Sequence, residues 1–186
     1  MVNIIFILLG IVFLIAIWVI IVYNRLIKVR VLMREAWSII DIFLKKRHDL
    51  IPNLVETVKG YAAHEKETME NITIARSKAM GANGFTDRIA SENMLGNQLG
   101  RLMVAVEKYP DLKANETFLH LQKELVQLEN EIERARRYYN GTVRNNNIAI
   151  EVFPANIVAG MFRFANGDFF ESTGDDRVVP QIVIND

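Results

Sequence analysis

The chain has 186 residues, with 22 Lys and Arg against 22 Asp and Glu and three histidines, so its formal net charge is zero and bulk electrostatics gives no lead. An apolar share of 51% with 24% charged residues excludes a disordered chain, and at roughly 150 residues per domain the length allows one core plus an appendage. The absence of cysteine removes disulfides, thiolate nucleophiles, Cys-ligated zinc and iron–sulfur clusters.

Charge is balanced overall but not locally. Residues 1–24 carry no charged side chain, residues 25–34 carry Arg25, Lys28, Arg30 and Arg34 with no acid, and residues 168–186 carry five acids against Arg177. The uncharged stretch contains nineteen uninterrupted apolar residues, Ile4 to Val22, which as a helix span about 28 Å, close to the hydrocarbon thickness of a bilayer. A cleaved signal peptide has its bases before a shorter apolar core; here the bases follow, so residues 1–24 read as a single transmembrane anchor. The positive-inside tendency then places Met1 to Asn3 outside and everything after the span in the cytoplasm, at the cell membrane. Trp18 and Tyr23 suit interfacial anchoring, and the bases serve either as a topology signal alone or also as a contact for anionic lipid heads. Gly10 and Ala16 lack the spacing of a close-packed small-residue face, and no ionisable group interrupts the span, so it is expected to anchor rather than conduct.

Residues 25–147 are expected to form a cytoplasmic helical bundle. Met33, Trp37, Ile40, Leu44, Arg47, Ile51, Leu54, Val58 and Tyr61 recur at alternating spacings of four and three, the seam of a packed helix. Pro52 should kink or restart that helix, with Asp49 able to cap the restart. A second helix from about Glu65 to Met80 is predicted to bury Met69, Ile72 and Ala79, and the GANG sequence at 81–84 ends it. Thr86 or Asp87 can cap a third with the seam Leu95, Leu99, Leu102, Val106 and Tyr109, stopped by Pro110. A fourth, from about Asn115 to Asn146, has the clearest seam: Phe118, Leu121, Leu125, Leu128, Ile132, Ala135, Tyr139 and Thr142. Short connections favour neighbours of opposite direction, so the fold class is all-α: a transmembrane helix followed by an antiparallel, up-and-down four-helix bundle with a short apolar C-terminal segment and a tail.

With that parity the fourth helix runs back toward the bilayer and delivers residues 148–171 to its surface. The segment carries Phe153, Ile157, Val158, Met161, Phe162, Phe164, Phe169 and Phe170 around Arg163, and Pro154 suits the start of a short helix. It reads as an interfacial amphipathic element, as a face for another subunit, or as the closure of the open end of the bundle. Residues 172–186 begin as an acidic, turn-rich linker; the following VVPQIVI reads either as a disordered terminus or, limited by Pro180, as an edge strand added to a partner.

The runs RHDLIPNLVETVKGYAAHEKET at 47–68, YPDLKANETFLHLQKELVQLENEI at 109–132, ARRYYNGTVR at 135–144 and FPANIVAGMF at 153–162, behind an N-terminal span, resemble the LemA family. The resemblance implies a single-pass membrane protein with a short outside N-terminus and a cytoplasmic bundle of four helices. It implies no reaction and supplies no catalytic residues, and the tail after about Glu171 departs from its motifs.

A direct search for chemistry finds little. No Glu stands three residues before a histidine, as a bundle di-iron site needs, and His64-Glu65 reaches Thr68 where a zinc protease motif needs its second histidine. There is no Gly-rich phosphate loop and no nucleophile elbow. Arg134, Arg136, Arg137 and Arg144 have Glu129, Glu131 and Glu133 on adjacent turns, which fits a solvated, salt-laced face rather than a nucleic-acid surface. Neither catalytic residues, metal nor cofactor are expected, and no nucleic-acid partner. The polar cluster Arg47, Asp49, Asn53 and Glu56 reads as a register-setting structural feature or as a buried site for an ion or peptide; on the structural reading Arg47→Leu should still fold and can gain stability, while Arg47→Ala destabilises. The expected function is a non-enzymatic membrane-tethered scaffold that self-assembles as a homo-oligomer or organises and remodels the bilayer. The alternative is an adaptor that docks a membrane protease, transporter or signalling partner.

Overall fold

The computed structural model describes residues 2–170, and every regular element among them is helical. Helix α1 spans Val2–Lys59 and is followed by a single 3-10 turn, Ala63–Glu65; then come α2 (Lys66–Gly81), α3 (Phe85–Val106), the one-turn α4 (Pro110–Lys113), α5 (Glu116–Glu151) and α6 (Ala155–Met161). The chain divides into two compact units. One takes the chain up to Ile42 together with Ile132–Phe169, and the other is built on Phe43–Glu131.

In the second unit the core is assembled from the spaced apolar residues: Ile51, Leu54 and Val58 of α1, Met69, Ile72, Ala75 and Ala79 of α2, Leu95, Leu99, Leu102 and Val106 of α3, Leu112 of α4, and Phe118, Leu121 and Leu125 of α5. Each large aliphatic withdrawn from water in this way contributes about 1.5–3 kcal/mol. Tyr61, at the end of the α1 seam, is exposed instead, and Tyr109 is half-buried beyond the end of α3.

Of the two outcomes expected at Pro52, a kink or a restart, the restart does not occur; the helix runs through it, and Asp49 is an exposed mid-helix residue rather than a cap. Proline cannot donate to the carbonyl four residues before it, which here belongs to His48. Arg76 of α2 supplies the missing partner, its Nε donating to the His48 carbonyl at 2.7 Å. The lost helical bond is thus replaced by a tertiary one.

The helix caps also differ in part from expectation. α3 begins behind Gly84, whose φ of 92° suits a residue without a Cβ, and neither Thr86 nor Asp87 is its cap; Asp87 lies in the first turn, where its charge favours the helix dipole. α5 is capped by Asn115, whose Oδ1 accepts from the Phe118 backbone N–H at 2.9 Å.

In the first unit the α5 seam continues through Ile132, Ala135, Tyr139, Thr142 and Val143, all buried, and the Tyr139 ring meets Trp37 of α1 edge-on at 5.4 Å between centroids. α5 extends to Glu151, past the expected end, before the chain turns into α6. The end of α6 is a Schellman motif: Phe164 N–H donates to the Ala159 carbonyl at 2.9 Å and Arg163 N–H to Gly160 at 3.3 Å, with Arg163 at φ 54° in the left-handed region.

Candidate functional site

The apolar run of α1 is long and apolar enough to cross a membrane, and residues 2–17 are all exposed among the described residues. Packing begins within the last turns of that run, from Trp18 onward. Trp18, Val19, Val22, Tyr23 and Leu26 of α1 close over Val158 and Ala159 of α6, together with Ala149, Ile150 and Phe164. Tyr23 is the hub, with the Phe162 ring at 4.7 Å and the Phe164 ring at 5.8 Å between centroids. Arg30, two turns further along α1, lays its guanidinium 4.9 Å above the Phe164 ring, a cation–π contact.

The segment from Phe153 to Phe170 is therefore divided. Val158 and Phe170 are buried and Phe164 is half-buried, whereas Phe153, Ile157, Met161, Phe162 and Phe169 are exposed, Phe153 by 79% and Met161 by 68%. Trp18 and Tyr23 are half-buried against α6, and Arg25, Lys28, Arg30 and Arg34 are exposed.

A clasp holds the chain after α6. Asn147 of α5 accepts from the Gly167 N–H at 2.8 Å through Oδ1 and donates to the Gly167 carbonyl at 3.1 Å through Nδ2. A Cβ on Gly167 would stand 2.5 Å from the Met33 sulfur, so only glycine passes without displacing Met33. Tyr139 donates its hydroxyl to the Asp168 carbonyl at 3.0 Å. Burial, with the Asp168 charge added, pushes the Tyr139 phenol up to about 12. Sequence reasoning passed over this clasp; three consecutive asparagines, 145–147, inside a helical pattern were the available signal, because asparagine is a poor mid-helix residue unless its amide is used elsewhere.

The second unit holds a buried ionic network around Arg47, which is 1% exposed. Its partners are not the residues grouped with it in sequence: Asp49, Asn53 and Glu56 are exposed, and Glu56 instead lies 3.6 Å from Lys59. Arg47 pairs with Glu92 of α3, itself 0% exposed, and forks onto both carboxylate oxygens of Glu129 of α5 at 2.9 and 3.1 Å. His48 Nε2 lies 2.9 Å from the other Glu92 oxygen, within ion-pair distance. Burial pushes the Glu92 carboxyl up, but the adjacent His48 and the Arg47 charge outweigh it and hold it below the ordinary 4.5 of a glutamate. The error has a geometric cause. Residues 49, 53 and 56 leave the seam that 47, 51, 54 and 58 define, so a seam cation must find its acids on other helices.

Glu129 thus leaves the solvated face expected of it, while Glu133 and Arg137 keep theirs with a pair at 2.6 Å. His64 and His120 are exposed, and among the described residues no group of three or more His, Cys, Asp or Glu is arranged to hold a metal ion. The tail at 172–186, with its edge-strand reading, lies outside the described residues.

An apolar N-terminal helix feeding helical units, with aromatic packing at the end of the apolar run, defines a helical protein with a membrane-anchor type of N-terminus. The LemA family matches residues 36–183, and the chain belongs to that family. It is 29% identical to the protein LemA of Metamycoplasma hominis, over 83% of this chain and 71% of the relative. It is 25% identical to the magnetosome proteins MamQ 2 of Paramagnetospirillum magneticum and MamQ of Magnetospirillum gryphiswaldense, in each case over 76% of this chain. The chain spans 63% of the length of these MamQ relatives. Neither the family description nor these names is that of an enzyme.

Proposed function

We propose that this protein is a non-enzymatic, membrane-tethered scaffold: an up-and-down four-helix bundle on the cytoplasmic side of the cell membrane that assembles with copies of itself. The observation that carries the reading is a second apolar stripe on α1. Val31, Leu32, Ile39 and Ile42 are exposed by 37–55%, while Ala36 and Ile40 of the same turns are buried in the unit. The stripe lies on the same helix, within and beyond the basic stretch that follows the apolar run, so a span that confines copies to one plane would bring these stripes together at high effective concentration, and weak lateral contacts would suffice. The four bases after the run support the cytoplasmic placement.

Mass photometry of the full-length protein in mild detergent tests the proposal. A large, defined particle is expected, and Ile39→Glu with Ile42→Glu should reduce it to single chains without lowering the melting temperature. A wild-type chain that runs alone overturns the reading, and co-purification with one stoichiometric partner supports an adaptor instead. Point substitutions are preferable to removing the span, because deletion up to Leu26 also strips Trp18, Val19, Val22 and Tyr23 from α6.

A further inference from the structure

We infer that α6 is a second, shallow membrane contact: its outward face lies in the phospholipid monolayer that surrounds the C-terminal end of the span. The inference rests on the membrane-spanning reading of α1 and not on self-assembly.

The depth follows from what α6 touches. Its buried residues pack on Trp18 to Leu26, a length of about 12 Å along the helix axis at 1.5 Å per residue, centred on Val22 where the apolar run stops. In a bilayer that places α6 at the boundary between hydrocarbon and head groups, the depth at which interfacial helices embed their apolar face. The seven residues of α6 are too few to be a stable helix alone, and the contacts with α1 and the Schellman end supply what length does not.

The outward side of α6 and its flanks also carry apolar side chains, beside the exposed Asn156. Val158 and Ala159 face α1, yet Phe153, Ile157, Met161 and Phe162 are exposed by 48–79%. What covers them is indicated by continuity: Val158 and Ala159 of the same helix pack on Trp18, Val19 and Val22, the end of an apolar run whose residues 2–17 are left exposed among the described residues and suit lipid tails. Charge agrees with the assignment. Arg25 and Lys28 are exposed just past the run, and Arg30 is held over Phe164, so cations stand at the level of lipid phosphates immediately beyond the apolar face. A helix inserted on one side of the bilayer acts as a wedge in that leaflet alone.

The absence of cysteine makes the test direct. Ile157→Cys and Met161→Cys, each in the full chain, are labelled with an environment-sensitive fluorophore and reconstituted into vesicles of phosphatidylcholine and phosphatidylglycerol. The vesicles used are those in which a label at Leu9→Cys is quenched by a spin label near the lipid chain ends. Both α6 labels should lose most of their emission to a spin label near the glycerol end of the lipid chain, and be protected from iodide in the water. Quenching by iodide without quenching by lipid would show a face in water; protection from both would show a face covered by protein, as between copies. Either result overturns the inference. Lipid quenching in a protein that mass photometry finds to be a single chain would leave this inference standing and remove the scaffold reading.

Discussion

Arg47 occupies a position that its helix reserves for apolar side chains, and the cost of placing a guanidinium there is met only because two carboxylates reach it. The partner that matters is Glu92, which has no solvent to return to. Leucine at 47 keeps the seam apolar but strands that acid, so Arg47→Leu should destabilise by roughly 3–5 kcal/mol rather than keep or gain stability. Glu129 is 42% exposed and can turn back to water at little cost. The double variant Arg47→Leu with Glu92→Leu should recover most of the loss, because both members of the pair are then replaced by apolar groups of comparable bulk. Thermal melts of the two variants check this; a single variant as stable as wild type, or a double variant no better than the single, would overturn it.

At the level of the helices, the faces were legible in the sequence and the neighbours were not. A spacing of three and four says which side of a helix is buried, and Ile40, Leu44, Leu54, Leu99, Phe118 and Ile132 all obey it. It does not say which helix lies opposite, so the acids facing Arg47, the arginine that takes over the His48 carbonyl at Pro52, and the asparagine clasp on Gly167 could not be read from local pattern. These are the places where a polar group must be satisfied across elements. One of them has a titration to follow. The Tyr139 hydroxyl ties α5 to the strand of chain after α6 only while it keeps its proton, and its pKa rises from 10.0 to about 12 in the folded protein. A raised pKa favours the folded state below the unfolded value, so this contribution is complete below pH 10 and disappears as the pH rises toward 12. Tyr139→Phe should cost about 1 kcal/mol at neutral pH. It should also flatten the loss of stability between pH 10 and 12, which melts of both proteins over that range would reveal. An alkaline limb identical in the two proteins would exclude the role.

Across the whole molecule, α1 is made before the helices that cover it and is completed only by the later ones. Its inward face carries Arg47, whose acceptor on α5 lies 82 residues further along the chain, and Trp37, whose ring partner Tyr139 comes later still. At about 5–20 residues per second of synthesis, a ribosome leaves that face uncovered for roughly 4–16 s after Arg47 is added. The apolar run ahead of it is already available for insertion during that interval. Biogenesis therefore has a built-in order, membrane before core, and it creates a window in which a half-made seam with a bare arginine must be shielded. Ribosome-stalled chains ending at Asn115 should bind a holdase chaperone, and chains long enough to expose all of α5 should release it; equal binding at both lengths would show that the seam is not the exposed element.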